Sequence, residues 1–401
     1  MDKKLIKYVA IFVGVVILLM ILMLIFNSAS GGSKYSYEKI EDKLVNAAKK
    51  YVEAKKKQNI DILPESPLSD PLYLSATVLV NEGYIKDLSE YAKDETTCVG
   101  GVNIYNAGDG NYDYIPELTC GTYHETVKLV DKVISDNDSG ITHGSGLYQR
   151  VDGKFITDEQ DLNTSSSEDF EYVFRGDDVN NYVKIDDNVW RIVSIDVNNN
   201  MLLIFNEHSQ RAIAWDDKYN EEEAKYQGVN TFESNGLEST AYKAIQEFYN
   251  GTLVLKDRET YSPKTKYLTV PMNLCIGKRS AEDTDISGNV ECSVILEDQF
   301  VGLLPAYYYM SASLDPNCET ITSKSCGNFN YLSQFDDFWW LMTANSANTN
   351  EAYTVSKKYA EASLCNYKAD IRPTVMLGSR AVYQEGSGTK DNPYIIKFYN
   401  E

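Results

Sequence analysis

Histidine is scarce, positive charge is outnumbered and no CxxC pair occurs. The three histidines, His124, His143 and His208, lie far apart in the chain, so a structural zinc site lacks its usual ligand spacing. Lysine and arginine number 38 against 59 aspartates and glutamates; the first 58 residues carry a net +6 and the remainder −27. A surface of that sign repels phosphate backbones, which argues against nucleic-acid binding and leaves either a plainly solvated exterior or a cation-binding one. Tryptophan is limited to four positions against thirty tyrosines, a balance that suits β-rich structure with hydrated hydroxyls. No nucleophile elbow is present: Ser145, in HGSG beside His143, lacks the GxSxG frame.

Long apolar runs are equally scarce, and the one that occurs dominates the N-terminus. Tyr8 to Phe26 is nineteen residues without a charge, proline or amide. As a helix it would reach roughly 28 Å, about the thickness of a bilayer core. Lys3, Lys4 and Lys7 precede it, so the expected topology is a single-pass membrane anchor with a cytoplasmic N-terminus and an extracytoplasmic bulk. A cleaved signal peptide ending near Ser28, Ala29 and Ser30 is the competing reading, and the length of the run favours the anchor. Either way, everything after Phe26 is expected at the cell surface.

The whole chain is 43% hydrophobic, enough for genuine cores. Tyr37, Ile40, Leu44, Ala47 and Tyr51 recur at helical spacing, and a second helix is expected over Leu72 to Asn81, closed by Gly83. Strands follow at Val99 to Tyr105 and Tyr112 to Leu118 around the turn AGDGN. The polar run 135–170 reads as linker with a short hairpin at Gly146 to Ile156, and from Glu171 onward strand patterns prevail, interrupted by a helix at Ser239 to Tyr249. The expected organisation is a cytoplasmic tip and anchor at 1–30, a small domain at 35–130, a linker at 131–170 and a larger domain at 171–401.

Seven cysteines follow the apolar run. Their spacing suggests Cys98 with Cys120, Cys275 with Cys292 and Cys318 with Cys326, leaving Cys365, although Cys365 could displace a partner in either later pair. As a lone thiol, Cys365 is either a buried hydrophobe or a nucleophile with His208 as base.

Two resemblances come from ordered blocks of residues. An apolar span, an amphipathic helix, the tripeptide GYI at 83–85 and a cysteine-closed hairpin resemble the layout of type IV pilin-like headpieces, but the prepilin cleavage site and the glutamate inside the span are absent. The series NYVKIDDNVWRIV, QEFYNGTL, VGLLPAYYYMS, FWWLMTAN, DIRPTVML and GSGTKDNPYII, between about 178 and 398, resembles the bacterial extracytoplasmic domain of unknown function 6273, with Met342 where arginine is usual. That domain is similar to C-type-lectin-like folds, including the formylglycine-generating enzymes. The resemblances imply an α+β protein: a transmembrane helix, a small pilin-like α+β domain and a larger, antiparallel-β-rich, lectin-like domain.

Candidate site residues follow from local pattern. Asp283, Asp285 and Ser287, with Gly288, match the first half of a calcium loop, yet position 12 is Val294 where a bidentate glutamate belongs; the alternatives are a calcium site and an acidic turn. Trp339 and Trp340 face opposite sides of a strand, so one is expected in the core and the other could stack on a ligand such as a sugar ring. Asp337 either caps that strand or joins the ligand site, and Arg372 ties a loop or binds an anion. The expected function is a membrane-anchored recognition or adhesion protein whose ligand is a glycan or a cell-surface protein. A minor pilin or other appendage subunit, and an anchored enzyme with an unrecognised site, are the alternatives.

Overall fold

The computed structural model describes residues 35–66, 69–93, 96–108, 110–138, 144–157, 170–251, 268–356 and 359–399. Among them, twenty-three strands stand against five α-helices. The chain is therefore mostly β, which corrects the α+β class, with its pilin-like and lectin-like parts, drawn from the sequence. The anchor expected at Tyr8 to Phe26 lies outside the described residues, and no described helix is long and apolar enough to cross a membrane.

The chain divides into two compact units, with a boundary between Thr126 and Val127. In the smaller, the helix Tyr37–Lys57 buries Ile40, Leu44, Ala47, Ala48 and Val52, the face that its apolar spacing specifies. Its sheet runs in the order Leu72–Ser75, Cys98–Gly108, Asn111–Cys120, His124–Glu125, and the Cys98–Cys120 disulfide joins the two central strands. The second helix is shorter than expected: Leu72–Ser75 pairs as a strand with Gly101 to Ile104, and the helix begins at Ala76, where the Ser75 hydroxyl accepts from the Val78 amide.

The larger unit starts earlier than Glu171. The helix Leu129–Asn137, which runs into the expected linker, buries Leu129, Val130 and Val133, and Gly146–Val151, inside that linker, pairs antiparallel with Glu171–Arg175. These segments cover apolar surface of the main sheet, so they belong to the core and not to a tether.

Two sheets build this unit. The ten-stranded one centres on Met201–Phe205, buried at all five positions between Asn188–Ile195 and Thr374–Leu377. The five-stranded one runs Gln210–Ala214, Lys368–Ile371, Trp339–Ala344, Glu351–Val355, Ala360–Leu364. The chain passes between the sheets at two adjacent, oppositely directed crossings: through 206–209 after Phe205, and back through Arg372 and Pro373 after Ile371. Backbone bonds lace the crossings together, with the Phe205 amide donating to the Pro373 carbonyl (2.9 Å) and the Ser209 amide to that of Ile371 (2.9 Å).

Candidate functional site

A polar cleft of about 310 Å³ opens at these crossings, lined by residues from 182 to 390 that include Arg191, Asn206, His208, Arg211, Asp337 and Arg372. His208 sits in the first crossing. The strand that follows is bulged between Gln210 and Ile213, with Ala212 at φ +56°, and the bulge aims the Ala212 amide at Asp370 Oδ1 (3.1 Å). Asp370 lies in the neighbouring strand, one residue before its end, where its amide donates to the Phe338 carbonyl (2.8 Å) and so fixes the loop carrying Asp336 and Asp337.

Arg372, two residues beyond Asp370, is buried beneath the cleft. Its guanidinium donates to the Asn206 carbonyl (2.5 Å) and lies over the Phe335 ring at 4.0 Å. Burial lowers its pKa to about 10, so it remains charged near neutrality. Arg191 is held similarly: Nε donates to Asn181 Oδ1 (2.5 Å), one terminal nitrogen to the Tyr182 hydroxyl (2.8 Å), and the group lies 3.8 Å from the Tyr182 ring centre. The exposed Arg211 donates from Nε to His208 Nε2 (2.6 Å) and lies 3.7 Å from Asp337. Burial, reinforced by Arg211 and Arg372 and only partly opposed by Asp370 and Asp337, depresses the pKa of His208 and favours neutral imidazole.

The sequence-derived candidates separate accordingly. Asp337 and Arg372 both belong to the cleft. Trp339 and Trp340 do not: both are fully buried, which removes them as a stacking platform for a sugar. Trp340 Nε1 donates to the Ile213 carbonyl (2.8 Å), and Trp339 meets Phe335 edge-on at 5.7 Å, so the pair supports the cleft from behind.

The calcium reading of Asp283, Asp285 and Ser287 also gives way. The loop wraps the guanidinium of Arg279, which is fully buried and bidentate to the equally buried Glu291 (2.8 and 2.9 Å) and also donates to the carbonyls of Asp285 (2.6 Å) and Asp283 (3.2 Å). The Asp285 carboxylate instead accepts from the Ser287 hydroxyl (2.6 Å), the Ser287 amide (3.1 Å) and the Val290 amide (3.4 Å). Burial pushes its pKa upward, but these bonds and Arg279 outweigh it and leave the pKa low. A buried arginine takes the place that the spacing suggested for a cation.

The disulfides Cys98–Cys120, Cys275–Cys292 and Cys318–Cys326 are formed, and Cys365 is free and buried. Burial, then the nearby Asp216 charge, raises the Cys365 thiol far above its ordinary pKa, the reverse of an activated nucleophile. Ser145 donates to Asp177 and accepts from the amides of Asp177 and Asp178, as a loop staple does.

Local pattern in the sequence did not mark His208, Arg211 and Arg191, which line the cleft, or Asp370, which is buried behind it. The available signal was the DIR triplet: alternation on an extended strand sends Asp370 and Arg372 to the same side. No family model, curated protein or solved structure matches this chain.

Proposed function

We propose that the protein is an extracytoplasmic recognition protein whose larger unit binds an acidic glycan in the cleft at the strand crossings. One observation carries the ligand class. In a chain with 59 acidic and 38 basic residues, the lining of the cleft leans the other way, with Arg191, Arg211, Arg372 and Lys390 against Glu207, Asp336 and Asp337, while Asp370 is buried behind that lining. Cations concentrated on an otherwise acidic molecule attract an anionic group and repel it elsewhere. Asn206, Gln334 and the carboxylates add the donors and acceptors that sugar hydroxyls require. The extracytoplasmic location is supported by the three disulfides, by the apolar run Tyr8 to Phe26, and by the resemblance of 178–398 to an extracytoplasmic domain.

The test is retention of the full-length detergent-solubilised protein on immobilised polygalacturonate compared with amylose. Retention on the acidic polymer is expected, with affinity falling about tenfold or more in the double variant Arg211→Glu, Lys390→Glu, a loss of at least about 1.4 kcal/mol. Equal retention on both polymers, or none on polygalacturonate, refutes the proposal.

A further inference from the structure

Asp370 Oδ1 accepts from the Ala212 amide, but Oδ2 has no hydrogen-bond partner, although the side chain is only 9% exposed. A buried carboxylate oxygen left in this way is costly, and its surroundings indicate what could satisfy it. The nearest basic atom is His208 Nδ1, at 3.7 Å. That is too long for a hydrogen bond. It is close to the separation of two ligands on one tetrahedral cation, which bonds of roughly 2.1 Å place about 3.4 Å apart. Asp337 supplies a third donor: one ligand atom each from His208, Asp337 and Asp370 lie within 4.8 Å of one another.

We infer that His208, Asp337 and Asp370 form a binding site for a divalent transition-metal cation at the wall of the cleft. One imidazole and two carboxylates suit zinc and its neighbours, whereas calcium takes six to eight oxygens. Two negative charges and a neutral imidazole balance a dication. Arg211 competes for one ligand in this structure: its guanidinium lies 3.7 Å from the Asp337 carboxylate, while it donates to His208 Nε2, the ring nitrogen that does not face Asp370. Its side chain is 67% exposed and can swing into solvent when a metal arrives. The framework is rigid where it matters: the Ala212 amide orients Asp370, the Asp370 amide fixes the loop of Asp337, and Ser209 pins the crossing that carries His208. Three protein ligands leave an open coordination position for a group bound in the cleft. The three histidines, far apart in sequence, gave no sign of such a site, because only one of them contributes and both carboxylates arrive through the fold.

The experiment is direct and needs no glycan, so its outcome is separate from that of the acidic-glycan proposal. Full-length protein, stripped with chelator, is titrated with Zn²⁺ alone by calorimetry and by competition with a chromogenic chelator. One equivalent is expected to bind. His208→Gln and Asp370→Asn are each expected to weaken it at least tenfold, and so is Asp337→Asn, whose half-exposed side chain can change without disturbing the core. Arg211→Ala should tighten binding several-fold by removing the competing guanidinium, and His124→Gln, in the smaller unit, should leave it unchanged. Absence of zinc uptake by the parent refutes the inference. So does uptake that survives Asp337→Asn and His208→Gln undiminished, or that disappears with His124→Gln.

Discussion

Glu291→Gln is the sharpest test of the reading in which Asp283, Asp285 and Ser287 serve an arginine and not calcium. Arg279 and Glu291 are both fully buried and joined by two bonds of 2.8 and 2.9 Å. Burial alone would lower the pKa of Arg279, but its bonds to Glu291 and the charges of Glu291, Asp283 and Asp285 raise it above its ordinary value. The glutamine keeps the size of the side chain, removes the buried negative charge and turns an amide donor toward a guanidinium that can only donate. Removing one partner of a buried pair costs about 3–5 kcal/mol, because the other charge stays buried without compensation. Asp283, whose carboxylate is 3.4 Å from the guanidinium, offsets part of this, so about 3 kcal/mol is expected. All four tryptophans, Trp190, Trp215, Trp339 and Trp340, lie in the larger unit and are fully buried, so their fluorescence reports its unfolding without interference from the smaller one. The urea midpoint of the non-reduced protein should fall by roughly 1 M or more at typical denaturant slopes. A shift corresponding to less than about 1 kcal/mol would mean that the pair does not organise this loop.

Calcium, added to the parent or to Asp283→Ala, is expected to leave the tryptophan-detected urea midpoint of the larger unit unchanged; a rise that Asp283→Ala abolishes would restore the calcium reading. Replacing Cys275 and Cys292 together by serine should destabilise the larger unit by about 3 kcal/mol, the loop-closure value for their 17-residue separation, as read from the same midpoint. Alkylation of the native protein should leave Cys365 unmodified, and denaturation without reductant should expose one reactive thiol by intact mass; rapid native labelling would contradict its burial. His208 has a folded pKa below the ordinary 6.5, so the unfolded chain binds its proton more readily. The corresponding stability is complete above about pH 6.5 and is lost as pH falls toward the folded pKa. His208→Gln should therefore flatten the dependence of the urea midpoint between pH 6.5 and 5, and an unchanged slope would reassign that dependence.

What could be read from the sequence is what neighbouring residues determine. The stripe of Ile40, Leu44 and Ala47 specifies its helix because 3.6-residue spacing is local, and the three disulfides close between cysteines no more than 22 residues apart. Features decided at a distance were lost or misread. The run 131–170 is polar on average, yet Val133 and Leu147 within it, and Leu129 and Val130 just before it, find apolar partners elsewhere in the larger unit, which converts an expected linker into core. Adjacent tryptophans on a strand do face opposite ways, but Trp339 and Trp340 lie on a strand covered on both sides, so alternation could not expose either. The cleft was hardest to foresee because His208, Asp337 and Asp370 meet only where two sheets exchange strands. A regional net charge of −27 argued against nucleic acid, but it is an average and does not describe one cleft. The potential that a ligand meets is set by the side chains within about a Debye length, roughly 8–10 Å, so the cleft lining, where Arg191, Arg211, Arg372 and Lys390 outnumber Glu207, Asp336 and Asp337 by one, weighs more than the sum over the chain.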